Sequence, residues 1–586
     1  MSLTTVPTAL SAGAIIVVVA AVVGCVTYTG ADGGGGDRLV VYTGGEALAD
    51  AFPHRDKLND LADAAVPTAA PVAARISVAS WALAGPFPDR FGDAPIVAGD
   101  AASDLVLATV PADKTSESMR CAARELGRFV LDNKLRPEPR LERYLMLRCG
   151  STATSAAYQS LSWHDLGDTV DDKILLAEAA KKMPAMVHAL VDAGDVVGGA
   201  LVRNRAKKTA AFYVAGVKPR VHLDPTPQLA TGSFVVAGKL VHEAEMVVAS
   251  ITSGPLGAQE CTRDVSLLLP AFRFTCSLGS ESVAAIDVEA REKGRVLSTE
   301  AAALLVVVKV EDARVWNRLD HFTKVPASSD VTGRFLSILN EVRTRAGVDP
   351  VTLAHSESAV AQKLAPHYFG ALDDGGAVLD QVALGLIAGW DVDNMLIHGA
   401  AFAALTGYSG NIDDVMADVF DRPSQRLALL GNKVAQVALG TAPMVDGGTG
   451  VLVASYQPLH ASLDAKVLFE KLRSQREQRG LGPVLGTIPV DDVMTGAAAR
   501  LQKGEDMKDV GKDVLNASYE KMQRGLGIFE LDLYDIEHIA FPEQLFSAKT
   551  TYVALATATH KRAGSPWGST MLLIVFCTDE ARVASR

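Results

Sequence analysis

Arg343-Thr344-Arg345-Ala346-Gly347-Val348-Asp349-Pro350-Val351 recurs further on as Arg476-Glu477-Gln478-Arg479-Gly480-Leu481-Gly482-Pro483-Val484, with arginine, glycine, proline and valine in step. Both stretches read as the end of a helix, with Gly just past the last turn and Pro beyond it. Ahead of the first, Phe335, Leu339 and Val342 form the i, i+4, i+7 stripe of a half-buried helix. A second match follows in the same order. Lys433 to Ala442, with Val437-Ala438-Leu439 at its centre, recurs as Lys549 to Ala558, with Val553-Ala554-Leu555. Two ordered matches are the signature of a duplicated unit. Residues 331–460 and 463–580 are read as two copies of one domain. A fainter third copy is read at 115–222, with Leu126 to Pro137 matched to the opening helix and turn and Lys208 to Ala215 to the later strand.

The middle copy resembles the CAP superfamily, the cysteine-rich secretory protein fold, in its bacterial form. Leu339-Asn340-Glu341-Val342-Arg343, Gly347 and Pro350-Val351-Thr352-Leu353 are similar to the family's first helix and turn, and Ala361 to Ala365 with Tyr368-Phe369 to its second helix. Gly407-Tyr408-Ser409, Asp413-Asp414-Val415 and Arg422-Pro423-Ser424-Gln425-Arg426 resemble its Gly-Tyr-Ser turn, Glu-Glu helix start and Ser-Pro-Gly-His-Arg segment. The resemblance implies a three-layer α-β-α sandwich. It also implies a cleft that in the family holds two histidines and two acids, a donor set that suits a divalent metal.

Carried onto this chain, the resemblance implies a dismantled cleft. Gln425 stands where the family has one histidine, Phe402 where it has a glutamate, and Gly370-Ala371 where the other histidine falls. Asp413 or Asp414 alone keeps an acid. One carboxylate neither holds a metal tightly nor makes an acid–base pair. Phe402, Asp413, Asp414 and Gln425 are therefore binding-cleft candidates, and no catalytic residue, metal site or cofactor is expected. Glu at 402 and His at 425 would begin to rebuild the metal site if the alignment holds. His355, His367 and His398 in this copy, and His538 and His560 in the next, are read as surface or structural residues.

Between the first and middle copies the period changes. Residues 225–312 carry strand-sized runs separated by Gly, Ser and Pro, among them Phe234-Val235-Val236, Val265 to Leu269, Phe272-Arg273-Phe274 and Leu304 to Val310. That pattern suggests an immunoglobulin-like β-sandwich. The fold class expected is thus α/β plus all-β: two or three CAP-like α-β-α domains with an inserted β-sandwich. Residues 38–114 resist assignment, though Leu39-Val40-Val41-Tyr42 and Leu105-Val106-Leu107-Ala108 look like short strands.

The N-terminus speaks of export. Ala14 to Val23 is an unbroken apolar run, shorter than the ~20 residues a transmembrane helix needs and suited to a secretory leader. It ends Val22-Val23-Gly24-Cys25, which resembles the lipobox of bacterial lipoproteins, although residues 1–36 hold no Lys or Arg. Residues 1–24 are read as the leader, Cys25 as the lipidated mature N-terminus, and 25–37 as a Gly-rich flexible tether. An uncleaved anchor and an ordinary cleaved signal are the other readings. Of the remaining cysteines, Cys121/Cys149 and Cys261/Cys276 are the natural local disulfide pairs. Four cysteines allow three pairings, and free buried thiols remain open. Cys577 follows the apolar run Leu572 to Phe576 and is expected in a buried terminal strand.

At 586 residues the chain is too long for one core, and 48% hydrophobic with 21% charged residues reads as globular. A net charge of −12 argues against nucleic acid, which needs a basic face. The stretch Gly30 to Gly36 lacks the Lys-Ser/Thr of a phosphate loop, and no Gly-x-Ser-x-Gly elbow stands in strand–turn–helix context. The expected protein is exported to the outer membrane, periplasm or cell surface and held there by an N-terminal lipid. It is expected to bind a small apolar ligand, a peptide or an envelope protein without catalysis. The alternatives are a divergent hydrolase acting on peptides or cell-wall material, and a structural spacer.

Overall fold

The computed structural model describes residues 38–43, Leu58, residues 60–62 and most of 75–578, apart from short stretches such as 97–103, 326–329, 408–410, 483–489, 534–538 and 562–566. It is a mixed α/β molecule with several sheets.

The strand Ile397–Gly407 shows why the middle unit is a layered sandwich. Ala400, Phe402 and Ala404 enter one core, while Ala401, Ala403 and Leu405 enter the other. A strand buried on both faces needs apolar residues at every position, not at alternate ones. It lies in a five-stranded sheet ordered Arg38–Thr43, Ile397–Gly407, Thr449–Pro458, Gln436–Pro443, Thr352–Leu353. Helices Val331–Arg345 and Ile412–Phe420 cover one face, through Phe335, Leu339, Val342, Val415 and Phe420. Helices His355–Gly370 and Gly376–Ala388 cover the other, through Leu364, Tyr368, Phe369 and Leu379. The edge strand Arg38–Thr43 pairs antiparallel with Ile397–Gly407, setting Val40 against Phe402.

The last unit has a three-stranded antiparallel sheet ordered Leu526–Leu533, Gly568–Thr578, Thr550–Lys561. Helix Ala465–Gln478 lies on one face, and Asp491–Gln502 and Met507–Met522 on the other. The first unit orders its strands Ala157–Trp163, Thr209–Val217, Val196–Asn204, again with helices on both faces. In all three sheets the strand latest in the chain runs in the middle. Cys577 is buried in Gly568–Thr578, as its apolar run implied.

The helix ends around Arg343 and Arg476 match atom for atom. Gly347 and Gly480 take left-handed φ values of 74° and 72°. Val348 N–H donates to Arg343 O at 2.9 Å and Leu481 N–H to Arg476 O at 3.0 Å, closing a Schellman turn in each. Both arginine side chains are buried and donate to backbone carbonyls. Arg343 reaches Asp349, Leu429, Gly431 and Val434 at 2.7, 2.6, 3.2 and 3.1 Å. Arg476 reaches Gly482, Leu545, Ser547 and Thr550. The acceptors carry the same spacing in both cases. Burial lowers the pKa of both guanidinium groups.

Three sequence expectations are corrected. Helix Glu117–Asn133, matched to the opening helix, is placed like the second helix instead. It lies so close on Val196–Asn204 that a Cβ on Gly198 would stand 2.0 Å from Arg120 N, just as one on Gly440 would stand 2.2 Å from the Ala361 carbonyl carbon. Either helix lays an apolar stripe on the sheet and so carries the same periodicity, and the sequence could not choose. Leu107 and Ala108 lie in a turn rather than a strand, with residues 105 and 106 outside the described residues. Val265 to Leu269 is the connection of a hairpin, with Val265 and Leu268 exposed, so its apolar run is not a core strand.

Between the first and middle units stand two four-stranded antiparallel sheets around one core. One is ordered Gly257–Glu260, Ala244–Ser253, Val283–Glu292, Thr299–Val307, and the other Thr262–Arg263, Ala271–Ser277, Ser233–Leu240, Val221–Leu223. Phe234, Phe272 and Phe274 from one sheet meet Val247, Ile286 and Leu304 from the other. Arg273, between the two phenylalanines, points outward, which is the period-2 alternation of a half-buried strand. Disulfides join Cys121 to Cys149 and Cys261 to Cys276, the two local pairings.

Candidate functional site

The structure sends the four cleft candidates to different places. Phe402 is fully buried against Tyr368, ring centroids 5.6 Å apart, on the His355–Gly370 side of the sheet. Asp413 sits on the opposite side, at the start of Ile412–Phe420. There Arg334 of the opening helix grips it with two hydrogen bonds of 2.7 Å. Asp414 receives Arg318 at 2.6 Å. Gln425 lies on the short helix Pro423–Leu429, wedged against the sandwich strands, fully buried, with neither amide atom hydrogen-bonded. The whole sheet separates Phe402 from Asp413, so these residues form no common cleft. Sequence matching places residues along a chain but cannot say which face of a sheet a loop returns to.

Phe402 has a matching place in the last unit. Phe402 pairs with Ala454 and Ala454 with Ala438, while Ile528 pairs with Val575 and Val575 with Ala554. Ala438 and Ala554 are the equivalent residues of the sequence repeat, so an apolar side chain stands at this place in both.

Among the histidines, His367 is buried and structural, not at the surface. The side chains of His398 and His560, and all of His538, lie outside the described residues, as do Tyr408, Ser409, Cys25 and the leader. Among the described residues no group of three or more His, Cys, Asp or Glu is placed to hold a metal ion. No described helix is long and apolar enough to cross a membrane.

Sequence reasoning missed a charged seam where the first unit, the sandwich and the middle unit meet. Arg140 donates to Asp421 at 2.6 and 3.0 Å, and His321 Nε2 lies 2.9 Å from the same carboxylate. Burial alone would raise the Asp421 pKa, but Arg140 and His321 together hold it well below the ordinary carboxylate range. Arg140 and His321 thus share one carboxylate. Arg318 links Glu138 at 2.9 Å to Asp414. Arg143 reaches the fully buried Asp287 at 2.6 Å, and Ser424 donates its hydroxyl to the same aspartate at 2.9 Å. Asp414, and Ser424 beside Gln425, thus belong to the packing of three units against each other. Their partners lie far off in the sequence, so no local pattern marked them.

Beside this seam lies a cavity of about 210 Å³ between the first sheet and the sandwich. Its charged and titratable lining is Asp195, Lys218, Arg220, His242, Glu292 and Glu300, joined by four hydroxyl side chains that include Thr154. Glu300, on Thr299–Val307, is buried. One of its oxygens has only the Thr154 hydroxyl at 3.4 Å, and the other is buried without a hydrogen bond. Burial pushes its pKa up to about 7.

No family model matches the chain, and no curated protein matches it. Among solved structures, one match is a cysteine-rich secretory protein from Staphylococcus aureus subsp. aureus Mu50, 11% identical, covering 40% of this chain and 82% of that one with a TM-score of 0.17. This is a weak likeness to the family that residues 331–460 resemble, and at that score it carries no argument.

Proposed function

We propose that the protein is an exported, membrane-tethered binding protein of the cell envelope, built of degenerate CAP-like units around a β-sandwich and without catalysis of its own. The observation that supports it is the fate of the cleft positions. Phe402 is core, Asp413 is neutralised by Arg334, Asp414 by Arg318, and Gln425 is sealed beneath the sandwich. Groups already consumed by packing and ion pairs are not available to move protons or hold a metal. The matching helix ends at Arg343 and Arg476 support reading 331–460 and 463–580 as copies of one unit. Two disulfides suit an oxidising compartment.

Two measurements test this. Mass spectrometry of membrane-extracted protein should find an acylated Cys25 at the N-terminus. An unprocessed leader, or a mature terminus elsewhere, ends the lipoprotein part. Incubation of the full-length protein with peptide mixtures and cell-wall fragments should leave them intact. Sustained turnover would favour the hydrolase alternative instead.

A further inference from the structure

We propose that the cavity between the first sheet and the β-sandwich binds a small zwitterion of free amino-acid size, its ammonium on Glu300 and its carboxylate toward Arg220 and Lys218. The proposal rests on the reading of a non-catalytic binding protein and gives it a ligand class.

Size sets the first limit. A volume of about 210 Å³ admits a ligand of amino-acid size. Charge sets the second. Glu300 presents a buried carboxylate whose hydrogen-bonding capacity is almost unused, and a buried acceptor of that kind needs a donor. An ammonium carries three donors and a compensating charge. Arg220 lines the same space and donates to the Glu300 carbonyl at 3.4 Å, while Lys218 stands exposed at the mouth. The lining carries both signs, Asp195, Glu292 and Glu300 against Lys218 and Arg220. A zwitterion answers both ends. The remaining lining includes Val217 and Leu240 and no Phe, Tyr or Trp among the described residues, which suits a small aliphatic side chain and offers no ring for a sugar or base to stack on.

The charges acting most on Glu300 are Arg143 of Pro139–Arg148, Asp287 of Val283–Glu292, Arg422 before Pro423–Leu429, and Arg220; Glu289 stands opposite it in the sheet, and Asp195, Lys218, His242 and Glu292 line the same cavity. Burial outweighs the three arginines, so in the empty site the acid is protonated below about pH 7. An ammonium needs the carboxylate form, so affinity should fall as pH drops from 8 to 6.

The test is isothermal titration of the full-length protein at pH 8 with glycine, L-alanine, L-valine, L-leucine, L-serine and L-threonine. At least one should bind saturably. Its decarboxylated amine and its deaminated acid should each bind at least about tenfold more weakly. Glu300→Gln should weaken binding about thirtyfold or more, as expected for losing one partner of a buried charged hydrogen bond, and abolish the pH dependence. Lys218→Met, at an exposed position where folding is safe, should weaken it about two- to fivefold. Failure of all six to bind overturns the proposal, as does amine binding equal to that of the parent amino acid, or full affinity in both variants. A silent cavity in a chain that still shows no turnover removes this site and leaves the non-catalytic reading standing. Turnover of a bound amino acid would do the reverse.

Discussion

The middle and last units bury the same arginine in the same way, Arg343 and Arg476, yet spend their other charges differently. Around the middle unit several ion pairs are buried or nearly so: Arg334 with Asp413, Arg422 with Asp418, and Arg140 with the half-buried Asp421. In the last unit they are exposed: Arg479 with Glu543, Arg500 with Glu505, Lys521 with Asp492. The middle sheet has strands paired beyond both flanks of its three long strands, Arg38–Thr43 on one side and Thr352–Leu353 on the other, whereas the last sheet has three strands in all among the described residues. The middle unit also takes Trp567 from the last, whose indole N–H donates to Ile387 and Ala388 carbonyls at 3.2 and 3.0 Å. One local design therefore serves two settings. Exposed pairs contribute about 0–1 kcal/mol each, while losing one partner of a buried pair costs about 3–5 kcal/mol.

The largest effect should come from Phe402. Phe402→Glu puts a charge into a closed core and should cost about 4 kcal/mol or more in urea unfolding. Ile528→Glu, at the matching but half-buried place of the last unit, should cost less. Adding Gln425→His to Phe402→Glu should give no zinc heat in titration, because the sheet and the sandwich seam hold the two positions apart. Zinc binding by the double variant would restore the shared cleft.

A middle effect should come from the arginines. Arg343→Ala and Arg476→Ala each strip hydrogen bonds from four buried or part-buried carbonyls and should cost about 3 kcal/mol. Hydrogen exchange should show Arg476→Ala loosening the last unit while the sandwich stays protected. Equal loosening of both would mean that the two units unfold as one.

The smallest effect is in pH. Glu300 has a folded pKa raised from 4.5 to about 7, so the folded state holds a proton the unfolded chain has lost, and stability should decline between about pH 4.5 and 7. Asp421 runs the other way. Its folded pKa is lowered, so its contribution is present above about pH 4 and is lost as pH falls further. Thermal melts of Glu300→Gln should lack the decline between pH 4.5 and 7. A variant that keeps it places the titrating group elsewhere.

Much of this architecture was legible residue by residue. The Arg–Gly–Pro helix end could be read because a left-handed glycine is a local demand, met by Gly347 and Gly480 alike. Leu39 to Tyr42 was readable as a strand, but its partner Ile397–Gly407 was not, because pairing over such a separation leaves no local mark. Val265 to Leu269 misled for the same reason: an apolar run does not state whether anything covers it.

By itself the sequence determined where helices stop and offered the local cysteine pairs. Only the tertiary structure decided which sheet face Phe402 and Asp413 occupy, that Asp413 and Asp414 are held by arginines, and that Glu300 lies buried beside a cavity. Helix ends and short loops follow from backbone geometry within a few residues. Burial and charge partnership arise only when segments hundreds of residues apart are packed together, and there a side chain's neighbours, not its identity, set its chemistry.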